Sequence, residues 1–76
     1  MGQFKRILPF DCIIMDTEDQ RVTNPYSGES VMLEPDAVAV YDVIKGAEIT
    51  GNATVMSKGI RWFAKHFPNE YMILLD

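Results

Sequence analysis

The chain has 76 residues and a formal net charge of −4, and 47% of its residues are hydrophobic. That is enough for one domain, which buries only about 60% of the surface its unfolded form exposes and therefore needs an unusually apolar core or a partner chain. A single cysteine excludes an internal disulfide, a single histidine excludes a Cys/His zinc set, and the acidic balance argues against generic binding to nucleic acid or anionic membrane.

Residues 1–10, MGQFKRILPF, carry a basic pair but not the apolar stretch of a secretory leader. Gly2 follows Met1, yet Arg6 stands where N-myristoylation wants Ser or Thr. With a free cysteine, these features set the expected location as cytoplasmic. The longest apolar runs, CIIM (residues 12–15) and MILL (residues 72–75), are far too short to span a membrane. CIIM is more β-branched than helical and predicts a short buried strand. DTEDQ then breaks the run as an acidic turn.

RVT and SVML flank the stretch NPYSG and alternate weakly, which predicts a hairpin with strands near 21–23 and 30–33. Pro25 fixes its own φ and pushes Asn24 out of the helical region. Gly28 accepts the positive φ that closes a loop of this length. Asn, Pro, Ser and Gly each favour turns for separate reasons, so NPYSG reads as a turn. A sorting signal would need a following apolar segment and a basic tail. An endocytic Asn-Pro-x-Tyr motif would need its tyrosine one place later than Tyr26. At the loop tip, Tyr26 remains a candidate contact residue.

EPDAVAVYDVIKGAE is the clearest helix, with Pro35 in the first turn and Asp36 suited to the positive helix N-terminus. Ala37, Val40, Tyr41 and Ile44 share one face, and Val38 and Val43 widen it. Only Ala39, Asp42 and Gly46 occupy the back. A helix apolar nearly all round belongs in an interior, and in so short a chain that points to cover from a second copy. ITGN links to a second helix, ATVMSKGIRWFAKHF, with Asn52 as its N-cap. Met56, Ile60, Phe63 and Phe67 form its apolar face; Lys58, Arg61 and Lys65 form the opposite, basic one. Pro68 ends this helix near His66 or Phe67. The tail NEYMILLD is a closing strand or a last helical turn, and it is too apolar to hang free. Acids gather over residues 34–48 and bases over 49–69, a segregation that steers helix docking more than it stabilises it.

Catalytic chemistry has little to work with. Cys12 lies in an apolar run, where a thiol is ordinarily an inert core group, and His66 suits a helix C-terminus as a cation. Asp16, Glu18 and Asp19 lack the glycine and glutamate of a calcium loop. The glycines form no phosphate-cradling loop. Asn52-Ala53-Thr54 is a formal glycosylation sequon with no secretory context. No catalytic, cofactor or metal residue is expected. The basic face of the second helix admits three readings: a solvated face, a contact for an acidic protein surface, or a weak single-strand nucleic-acid site. In the last, Lys58, Arg61 and Lys65 hold phosphates and Trp62 stacks a base. Trp62, between the apolar and basic faces, is either a core edge or a binding anchor.

NPYSGESVMLEPDAVAVYDVIKGAE followed by WFAKHFPNEYMILLD resembles small uncharacterised proteins encoded by tailed phages, especially marine ones. The likeness covers about residues 24–76 and implies an origin, with action in a host cytoplasm, but no activity.

The sequence thus predicts a small α+β domain: a short N-terminal strand and hairpin, two antiparallel helices and a docked C-terminal segment. The expected function is a non-enzymatic protein-interaction module, homodimeric, with a host protein among its partners. Tyr26, Lys58, Arg61, Trp62 and Lys65 are the candidate contacts, and Tyr41, Ile44 and Phe63 the candidate dimer surface. Weak nucleic-acid binding is the alternative; no membrane and no cofactor are expected.

Overall fold

The computed structural model describes residues 7–15 and 17–75. The basic pair Lys5-Arg6, Gly2, and Asp16 of the acidic turn lie outside them. After an irregular N-terminal segment come β1 (Gln20–Thr23), β2 (Ser30–Leu33), α1 (Pro35–Thr50), α2 (Ala53–His66) and α3 (Pro68–Leu74). The fold is α+β, a two-stranded antiparallel hairpin followed by three helices.

Each helix boundary has a local cause. Pro35 opens α1, where its missing N–H costs nothing. Gly51, at φ 77°, closes α1, and the amides of Gly51 and Asn52 both return to the Ala47 carbonyl. The helix runs two residues beyond Glu48, leaving only Gly51-Asn52 as the link. The Asn52 side chain then accepts from the Val55 amide at 3.2 Å and caps α2. Pro68 ends α2 and opens α3 at once. The C-terminal tail is therefore a helix, not a closing strand.

The two long helices run antiparallel. Gly59 of α2 lies against Ile44 of α1, while Phe63 faces Tyr41 with ring centroids 6.4 Å apart, so one number rises as the other falls. The seam is apolar, and Lys45 pairs with Glu48 inside its own helix at 2.9 Å. The expected face of α1 is buried: Ala37, Val40, Tyr41 and Ile44 join Leu33, Phe63 and Leu74 in one cluster. Complete burial of a side chain such as Phe63 is worth about 1.5–3 kcal/mol. α3 packs on α2 and on β2, which helps tie the hairpin to the helices.

The strand expected at 12–15 does not form; the segment has no regular secondary structure. Helices lie beneath it, and a helix offers no backbone ladder for a strand to join. Its side chains still alternate. Leu8, Phe10 and Cys12 pack against the core, and Ile14 is half-buried. Ile7, Ile13 and Met15 point outward at 88%, 82% and 84% exposure.

Candidate interaction surface

The hairpin loop is built around Asn24. Its side-chain oxygen accepts from the Tyr26 amide at 2.8 Å, an Asx turn, and its own amide N–H donates to the Glu29 carbonyl at 2.8 Å. Gly28, at φ 81°, donates back to the Asn24 carbonyl. The turn reading of NPYSG thus describes the loop's geometry. That geometry holds Pro25 and Tyr26 outward, with Tyr26 at 92% exposure. Lys45 on α1 lies 6.0 Å from the centroid of the Tyr41 ring, and its pKa is raised first by its hydrogen bond to Glu48.

The basic residues are where helical spacing places them. Lys58, Arg61 and Lys65 are all exposed on α2, and Arg61 donates to the Ser57 hydroxyl at 3.0 Å. Ala53, Thr54 and Ser57 line a shallow open groove beside Lys58 and Arg61. Trp62 does not join them. It is buried at 8% exposure, its ring lying 5.1 Å from His66 and 5.8 Å from Phe67. Its indole N–H donates to the Ile7 carbonyl at 2.7 Å. The expectation of Trp62 as a contact is corrected: it is a core edge that clamps the N-terminal segment. Helical spacing placed it on a boundary, and that segment turned the boundary into an interior.

Tyr41, Ile44 and Phe63 are also displaced from their expected role. At 8%, 1% and 0% exposure they are covered by their own chain and offer no surface to a second one. The antiparallel packing of α1 on α2 supplies the cover that the sequence left to a partner.

Cys12 and His66 stand in different surroundings. His66 lies on Trp62, and Cys12 lies near Asp36. Burial, then the charges of Asp11 and Asp36, push the Cys12 thiol above its ordinary pKa, which disfavours the nucleophilic thiolate. Among the described residues no group of three or more His, Cys, Asp or Glu is placed to hold a metal ion. No helix of the described residues is long and apolar enough to cross a membrane.

Uncovered apolar side chains stand instead on the outer side of residues 7–15, and separately at Ile49, Met72 and Met32. Ile7, Ile13 and Met15 project there with Asp11 between them, and Ile13 and Met15 border a shallow groove with Val38 and Ala39 of α1. Sequence reasoning treated CIIM as a wholly buried run. The signal that could have corrected it is the alternation beginning at Leu8, with Phe10, Cys12 and Ile14 in phase and the polar Asp11 out of phase.

No family model matches the chain, and no curated protein or solved structure is similar to it.

Proposed function

We propose that this chain is a non-enzymatic interaction module that binds a protein partner and works as a homodimer. The observation that carries the reading is the outer side of residues 7–15, where three large apolar side chains remain 82–88% exposed while their neighbours pack inward. Ile13 and Met15 border one groove with Val38 and Ala39, and uncovered apolar groups brought together in this way are a mark of protein contact sites. The exposed Asp11 in their midst favours a partner surface that sets a cation within an apolar patch.

The test compares what three immobilised proteins retain from a bacterial lysate: the wild type, an Ile13→Lys/Met15→Lys variant, and a Lys58→Glu/Arg61→Glu/Lys65→Glu variant. A partner lost from the first variant and kept by the second supports the assignment. A partner lost only from the second moves the site to α2. Retention of nothing specific by the wild type removes the reading.

The basic face of α2 carries the second reading, weak binding of a polyanion. Lys58, Arg61 and Lys65 are exposed together, but Trp62 faces the core and is not available to stack a base. Binding there would be electrostatic alone and steeply salt-dependent. Titration with labelled single-stranded DNA at low salt decides it, and no binding there ends it.

A further inference from the structure

β1 is an edge strand of the two-stranded sheet. α3 packs against β2, and β1 pairs with β2 on one side only. Its register, Gln20 with Leu33 through Thr23 with Ser30, fixes which backbone groups are used. The Asn24 amide bonds the Glu29 carbonyl, so the ladder faces β2 at Asn24, Val22 and Gln20. In an antiparallel pair the groups of alternate residues turn the opposite way. The N–H and C=O of Arg21 and Thr23 therefore point away from the sheet, along an edge that no strand joins among the described residues. Such an edge is a template for another strand.

We infer that the homodimer forms by antiparallel pairing of β1 with β1 of a second copy, with Val22 on the two-fold axis. This rests on the homodimer reading and adds its seam. Three registers bring the outward groups of two β1 strands together. Centring on Arg21 sets two guanidinium groups directly opposite each other, which destabilises a sheet pair. Centring on Thr23 sets Arg21 against Pro25, which has no N–H to give. Centring on Val22 sets Arg21 opposite Thr23 of the other chain, twice by symmetry. Each such pair exchanges both N–H···O bonds, about four in all.

The same register keeps the faces consistent. Val22 and Val31 are paired on the side of β1 and β2 that packs against the core. Val22 meeting its own copy extends that apolar row across the axis. The four strands then form one sheet in place of two isolated ribbons, which are marginal alone.

Sedimentation equilibrium on the full chain, together with oxidative cross-linking in a Cys12→Ser background, tests the seam. Thr23→Pro removes one outward N–H per chain and keeps the backbone ladder to β2, losing with it only the Thr23–Ser30 hydroxyl bond; it should weaken dimerisation at least tenfold. Val22→Cys should cross-link readily, because a central non-hydrogen-bonded pair sets its Cα atoms about 4.5 Å apart, within disulfide reach. Arg21→Cys and Thr23→Cys should not, since neither meets its own copy. If Thr23→Pro loses its native circular dichroism, the cross-linking pattern alone decides. A wild-type dimer with no preference for Val22→Cys overturns the seam and leaves the homodimer. A wild type that stays monomeric at millimolar concentration overturns both.

Discussion

The side-chain amide of Asn24 donates 2.8 Å to the carbonyl of Ile73, 49 residues along the chain. Ile73 lies in the last turn of α3, where carbonyls have no partner within the helix. One asparagine therefore shapes the hairpin loop with its oxygen and caps the C-terminal helix with its nitrogen. Asn24→Ala should cost about 1–2 kcal/mol, a loss of roughly 5–10 °C in Tm for a domain this size. Asn24→Asp should cost more. It keeps the turn acceptor, but it cannot donate when ionised and sets a negative charge at the negative end of α3. Thermal melts of both variants at neutral pH check the order.

Two glycines in the helix pair should respond to alanine with opposite sign. Gly46 in α1 is exposed, and a Cβ there meets nothing within 4 Å. Gly46→Ala should stabilise by about 0.5–1 kcal/mol, through helix propensity alone. A Cβ on Gly59 would sit 2.5 Å from Cγ1 of Ile44, which is 1% exposed and has nowhere to retreat. The propensity gain of about 1 kcal/mol is then outweighed by overpacking of about 1–3 kcal/mol. Urea denaturation of the two variants should move in opposite directions, and a stabilised Gly59→Ala would show that α1 and α2 are not in close contact.

Trp62→Phe tests the clamp on the N-terminal segment. The ring contacts survive, while the 2.7 Å bond to the Ile7 carbonyl is lost, at about 1 kcal/mol. Opening of residues 7–15 should become about fivefold more frequent. Labelling of Cys12 by a maleimide should accelerate by a similar factor, and an unchanged rate would mean that the apolar side chains hold the segment without the indole.

The Cys12 thiol sets a pH dependence. Its pKa is raised in the folded chain, by burial first and then by Asp11 and Asp36, so the folded state holds the proton longer than the unfolded one. Stability from this source is fully present below the unfolded thiol's pKa of about 8.5 and falls as pH rises above it. The wild type should lose stability between about pH 8 and pH 10 faster than Cys12→Ala does. Chemical denaturation at both ends of that interval measures the difference; parallel losses would place the thiol in an ordinary aqueous setting.

The hairpin, the start of α1 and the limits of α2 are legible along the chain because their causes lie within a few residues of where they act; that 12–15 forms no strand and that the tail is helical are not. Pro35, Asn52 and Pro68 terminate or cap by their own covalent geometry, and Gly28 takes the positive φ its loop needs. The face of α1 followed from spacing alone. Tertiary structure decided the rest: that Tyr41, Ile44 and Phe63 cover one another, that Trp62 turns inward to Ile7, that Asn24 reaches Ile73, and that CIIM exposes every second side chain. Those outcomes depend on groups brought together from distant parts of the chain. Local propensity carries no information about which surface will arrive opposite another, so burial and exposure at such boundaries are settled only when the helices and the N-terminal segment dock.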